Sequence, residues 1–170
     1  MLIVDGTDFR RREPFPFVKE ENKKWYSHKF KGAAFRWELA SSVKTGRLCW
    51  FNGPFPCGIM PDLRIFWSNL KTLLLPSEGV LVDKGYKGDA KCITPFDAKC
   101  KRHRKAMSQL RARHETINGR LKNWECLYQT WRHHQHKHSF AVKAVLVITQ
   151  LELIHRDPLF SVVYKDPVLI

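Results

Sequence analysis

Apolar residues follow two rhythms along this chain, and each change of rhythm marks an element. Leu2, Ile3 and Val4 form a short run stopped by Asp5 and Gly6, and Val80, Leu81 and Val82 form another stopped by Asp83, Lys84 and Gly85. Such a run, ended by an acid and a glycine, reads as a buried strand whose last residue emerges at the edge of a sheet. Between them Phe35, Trp37 and Leu39 alternate with Arg36 and Glu38, which is the period of a half-buried strand. Residues 44–47 read as a turn and residues 48–51 as the returning arm, so the first part of the chain predicts a three-stranded antiparallel meander. Residues 10–31 are polar and hold Pro14 and Pro16; they read as an excursion that returns to the sheet near Trp25 and Tyr26.

The helical rhythm starts at Pro61 and Asp62. Leu63, Phe66, Trp67, Leu70, Leu73 and Leu74 fall at helical spacing, and Pro76 ends the helix. Because the second acid-ended run follows, this helix is a crossover, and a strand–helix–strand connection calls for parallel pairing. Asp5 and Asp83 are therefore expected side by side. Residues 91–94 predict a short fifth strand. From residue 105 to 131, Met107, Leu110, His114, Ile117, Leu121, Trp124, Tyr128 and Trp131 alternate steps of three and four, which predicts one long amphipathic helix. Glu115 lies at the border of that stripe and shares a face with Arg111, Asn118, Gly119 and Lys122. A second, more apolar helix is expected over residues 139–154. The division that follows is a domain over residues 1–155 and a tail over 156–170.

Two carboxylates at one sheet edge repel unless cations stand between them. Hard divalent ions, Mg2+ or Mn2+, take oxygen ligands and leave positions open for phosphate. Asp5 and Asp83, with Glu115 as a third acid on the basic helix, thus form the layout of a two-metal site for phosphodiester chemistry.

Charge points the same way. The 170 residues carry a formal net charge of +14, with 30 Lys and Arg against 16 Asp and Glu, a balance that favours a polyanionic partner. Residues 99–137 hold eleven of those cations against two acids, Glu115 and Glu125. Arg111, Arg113, Arg120 and Lys122 are the candidates for holding nucleic acid near the third carboxylate. A membrane surface suits this stretch poorly, because Gln, Asn, His and Thr interrupt it and no clean apolar face opposes the cations. Hydrophobic content of 44% supports a packed core in one domain. The five cysteines are odd in number and form no Cys-x-x-Cys pair, so free thiols in a soluble, intracellular protein are expected.

Taken in order, Val4-Asp5-Gly6-Thr7, Trp50-Phe51-Asn52-Gly53, residues 61–66, Asp83-Lys84-Gly85-Tyr86 and residues 115–122 resemble the DDE endonuclease domain of Harbinger-type transposases. The resemblance covers roughly residues 2–155. It implies an α/β, RNase H-like fold with a mixed five-stranded sheet flanked by helices, and it implies Asp5, Asp83 and Glu115 as catalytic metal ligands. It further implies DNA as substrate and the nucleus as location. The DNA-binding region such transposases place ahead of the catalytic domain is not expected here, since the first strand opens at Leu2. That leaves a second copy of the chain or a separate DNA-binding subunit as further partners. A rival expectation is a domesticated or degenerate copy that binds DNA or protein without turnover, and an RNA-directed nuclease of the same fold is a third.

Several residues have simpler readings. Asp62 is expected to cap its helix, Asp8 to face solvent, and His114 to be a core histidine. Trp124 and Trp131 fit the core stripe, and Tyr86 fits packing or a phosphate contact. The His-rich stretch at 133–138 lacks a cysteine pair and reads as a polar loop rather than a zinc site.

Overall fold

The computed structural model describes residues 1–162. Strand β1 (Leu2–Arg10) is followed by helix α1 (Lys19–Trp25), strand β2 (Tyr26–Ser27), and the long strands β3 (Gly32–Ser42) and β4 (Leu48–Pro56). Two short helices, α2 (Asp62–Ser68) and α3 (Leu70–Leu73), lead to β5 (Val80–Leu81) and β6 (Cys92–Ile93). Helices α4 (Lys101–Lys122), α5 (Glu125–Tyr128) and α6 (Gln135–His155) complete the described chain.

The sheet runs β2-β3-β1-β5-β6, with β4 on β3. β1, β3 and β4 pair antiparallel as the expected meander, and β5 and β6 join in parallel. This is the α/β arrangement with a mixed sheet that the sequence predicted. The excursion after β1 does return beside Trp25, where β2 adds a sixth, two-residue strand.

Alternation in β1 assigns its faces. Ile3 packs with Leu81, Met107 and Leu110 on the α4 side, whereas Val4 packs with Val80, Val82, Phe66 and Leu70 on the α2 side. Phe9, Phe35, Trp37 and Leu39 form a third cluster with Leu121, Leu127 and α6. Such fully buried side chains each contribute on the order of 2 kcal/mol.

Three helices differ from expectation. Helix α6 opens at Gln135 rather than at residue 139, so it takes in His136, Lys137 and His138 of the expected polar loop and buries His138. The crossover is broken at Asn69, whose φ of −136° and ψ of −87° are not helical. The long helix stops at Lys122, because Asn123 closes it and Trp124 is extended with φ −80° and ψ 121°. The break resets the phase, so Leu127 enters the core while Tyr128 is exposed. The tail expected over 156–170 lies outside the described residues from 163 onward. Within them, Asp157 accepts an ion pair from Arg120 at 2.8 Å.

Candidate active site

Asp5 and Asp83 reach the same rim for a reason only partly visible in the sequence. The parallel register pairs Leu2 with Val80 and Ile3 with Leu81, and the same offset carried two residues on brings Asp83 alongside Asp5. Asp5 is not the last residue of its strand, however. β1 runs on to Arg10 because β3 pairs with its other side, and Asp5 lies opposite Leu39. The rim is created by the end of β5 at Leu81, which leaves that side of β1 uncovered from Val4 onward.

Helix α4 covers the opening. By the parity of Ile3 and Leu81, Asp5 and Asp83 face α4, and Asn118 donates from Nδ2 to Asp5 Oδ2 at 3.1 Å. Arg111 stands between two acids: its Nη1 is 3.6 Å from Asp83 Oδ1 and its Nη2 is 3.7 Å from Glu115 Oε1. Glu115 is thus on the same side of the molecule as the two aspartates, though its side chain is 63% exposed and linked to them through Arg111.

A fourth acid comes from the other face of the sheet. Asp62 does not cap α2, whose cap position is Pro61 and carries no side-chain cap bond. Its carboxylate instead fills space left by two glycines. A Cβ on Gly6 would collide with Asp62 Oδ1, and one on Gly85 would lie 3.6 Å from Asp62 Oδ2. Arg36 approaches Asp62 Oδ1 at 3.5 Å, which is an ion pair but too long and oblique for a hydrogen bond; that buried oxygen has no hydrogen-bond partner among the described residues. Asp8, expected in solvent, is buried beside it: Arg36 Nε donates to Oδ1 at 2.8 Å and Ser27 Oγ to Oδ2 at 2.7 Å. Even residues on β1 point to the α2 face, and a residue past the glycine is therefore carried inward.

The electrostatics follow from this crowding. Burial and the neighbouring charge of Asp62 push Asp5 up to about 6, against the opposing pull of Arg111. Asp62 is also raised, by burial first, with Arg36 opposing. Burial alone would raise Asp8 as well, but the hydrogen bond and charge of Arg36 outweigh it and hold that carboxyl low. Carboxylates kept close, partly buried and short of donors have the donor chemistry of a hard divalent cation site. Asp5, Asp62 and Asp83 are the acids that could offer such oxygens, although Asp5 already accepts from Asn118 and Asp83 from the Lys84 N–H at 2.6 Å, and Glu115 meets them only through Arg111. As they stand, no three acid, histidine or cysteine side chains among the described residues are gathered into a metal-binding cluster.

The basic candidates on α4 are placed differently from one another. Arg111 is committed to Asp83 and Glu115. Arg113 is buried, and its Nη1 donates to the Val43 carbonyl at 3.1 Å. Arg120 pairs with Asp157, and Lys122 lies along the Phe9 ring, 5.8 Å from its centroid. His114 is a core residue, 2.8 Å from Ser41 Oγ. Tyr86 is buried and packs edge-on against Phe66 at 6.2 Å. The sequence placed Asn118 on the border face without a task, and it assigned Asp62 the role of a helix cap, which Pro61 occupies instead. The available signal for Asp62 was an acid standing in sequence between two acid-glycine runs.

Residues 4–151 match the family described as DDE superfamily endonuclease. The match spans most of the 170 residues, and the chain belongs to that family. No curated protein and no solved structure matches it.

Proposed function

We propose that this chain is the catalytic domain of a Harbinger-type transposase, a metal-dependent DNA endonuclease acting in the nucleus. In that reading Asp5 and Asp83 are metal ligands, Glu115 is the third, and Asp62 lies close enough to assist. The carrying observation is one rim on which Asp5 and Asp83 are neighbours by strand register and Glu115 is joined to Asp83 through Arg111. Divalent ions held there would supply polarisation of the scissile phosphate and an activated attacking water or hydroxyl. Asn118 would orient the Asp5 carboxylate, and Lys122 and Arg111 would offset phosphate charge. Arg111 must let go of Glu115 for that acid to take part.

The test is nicking of supercoiled plasmid in Mn2+ by the purified chain, beside Asp83→Ala and Asp5→Asn. Nicking by the parent chain and its loss in both variants is expected. Nicking that persists undiminished in both variants overturns the assignment.

One observation favours a second reading, a degenerate copy that binds nucleic acid without turnover. Arg111 already supplies a positive charge between Asp83 and Glu115, where a cation would otherwise be needed. Calorimetry separates the two readings: an active site takes up Mn2+ in the parent chain, whereas a degenerate one takes it up only after Arg111→Ala or not at all.

A further inference from the structure

Besides the exposed Lys101, Arg102, Arg104 and Lys105 at the start of helix α4, one group of cations without an ion pair lies away from that helix. At the far end of β1, five residues past Asp5 and so about 17 Å along the strand, Arg10, Arg12, Lys31 and Arg132 line an open cavity of about 760 Å³. No carboxylate among the described residues stands at ion-pair distance from any of the four. The one acid in the cavity wall, Glu13, is turned to the backbone and accepts from the Ala33 N–H at 2.9 Å.

Aromatic faces are interleaved with these charges. Phe15 is 88% exposed and Phe17 74% exposed, both in a proline-braced segment of the cavity wall, and the Arg10 guanidinium lies 4.5 Å over the Phe30 ring. The floor is rigid. Trp131 N–H donates to the Arg10 carbonyl at 2.9 Å and Arg12 N–H to the Trp131 carbonyl at 2.8 Å, so backbone pairing fixes Arg132 beside Arg10 and Arg12. A second cavity of about 460 Å³ shares Arg10, Phe30, Thr130 and Arg132 with the first and ends at Lys122. Lys122 is one helical turn beyond Asn118, the residue bonded to Asp5. The shared residues join the two cavities into one channel from Lys122 to the exposed phenylalanines; its one further acid, Asp8, is held by Arg36 and Ser27.

Cations in a row suit any polyanion, but exposed aromatic rings among them suit unpaired bases, which offer a stacking face that a closed duplex hides. We infer that this channel binds a single-stranded segment of nucleic acid, with Arg10, Arg12, Lys31 and Arg132 on its phosphates and Phe15 and Phe17 stacked on its bases. The inference rests on the nuclease reading only for the polarity of the strand, whose phosphodiester at the Lys122 end lies nearest Asp5.

The test measures anisotropy of a fluorescein-labelled single-stranded oligonucleotide and of a hairpin duplex, in EDTA across a range of salt. Phe15→Ala with Phe17→Ala is expected to weaken single-strand binding by about 10-fold or more and leave the duplex within about two-fold. Arg12→Glu with Arg132→Glu is expected to weaken the single strand and to flatten its salt dependence by about 0.7 in log–log slope for each phosphate no longer neutralised. All four side chains are exposed, so melting temperatures should match the parent. Single-strand affinity unchanged in both variants, or an equal loss for duplex when the phenylalanines are removed, overturns the inference. Plasmid nicking by the parent chain, run in parallel, keeps the two questions apart. A parent that does not nick, with strand binding lost in the variants, sinks the nuclease reading alone; a parent that nicks, with variants binding normally, sinks the channel alone.

Discussion

Asn118 donates to Asp5 across 3.1 Å, joining helix α4 to the first strand over 113 residues of sequence. Asn118 is nearly buried, so the bond is shielded from water and holds a carboxylate whose direction governs the whole rim. Asn118→Ala should cost about 1.5–3 kcal/mol of stability, the range for losing a hydrogen bond to a charged group. Nicking should fall as well, by roughly 100-fold if the Asp5 carboxylate drifts by about 1 Å. Asn118→Asp adds an acid to the crowded rim and should destabilise the chain more in EDTA than in Mn2+. Urea unfolding under both conditions checks this, and equal losses would remove the charge argument.

Gly6 is small because Asp62 occupies the space where its side chain would be. Gly6→Ala drives a methyl group into Asp62 Oδ1. The obstacle is the end of a side chain, which can rotate away, so the stability loss should stay below about 1.5 kcal/mol. Displacing Asp62 removes part of the charge that raises Asp5, and nicking is expected to drop by an order of magnitude or more. A fall in melting temperature with activity intact would mean that Asp62 plays no part in the site.

Metal should stabilise this chain in a pH-dependent way. With Asp5 raised to about 6, the metal-free folded chain binds that proton more tightly than the unfolded chain. The resulting stability is fully present below the ordinary value near 3.8 and is lost as pH climbs through about 6, on the order of 3 kcal/mol in all. A divalent ion replaces the proton. Mn2+ is therefore expected to raise the melting temperature clearly at about pH 7.5 and only slightly at about pH 5, and Asp5→Asn should abolish the difference. Equal shifts at the two pH values would place the bound ion elsewhere.

Two core histidines titrate in the opposite sense. Burial, with Arg111 nearby, holds His114 down to about 4, and burial with Arg11 does the same to His138. Their depressed values mean that the unfolded chain takes up protons first. Stability from each is fully present above about 6.5 and is lost as pH falls toward 4, on the order of 2–3 kcal/mol per histidine. His138 is enclosed by Phe9, Phe35 and Trp131, so His138→Leu should flatten the decline between about pH 6.5 and about 4.5 in urea unfolding. An unchanged slope would show that His138 is not among the groups responsible.

Much of this architecture was legible because it depends on local pattern. The apolar runs at Leu2 and Val80 and the alternation at Phe35 define strands, and a helix between two buried strands requires parallel pairing; Asp5 and Asp83 follow from register alone. What the pattern could not show was how far each element continues. β1 runs past Asp5 because β3 is long enough to keep pairing with it, and α4 stops at Lys122 because Trp124 turns into the core, although the three-and-four spacing continues in the sequence to Trp131.

The sequence by itself determined the strands and the two acid-ended runs, since these depend on neighbours a few residues apart, and the helix between the runs called for their parallel join. Tertiary structure decided which charges meet. Asp62 between Gly6 and Gly85, Asn118 on Asp5, Arg111 across Asp83 and Glu115, and Arg132 beside Arg10 bring together residues that the chain order does not place as neighbours. Periodicity puts a side chain on a face, but only packing of one element on another sets the few ångströms over which a carboxylate finds a cation, a hydrogen bond or nothing.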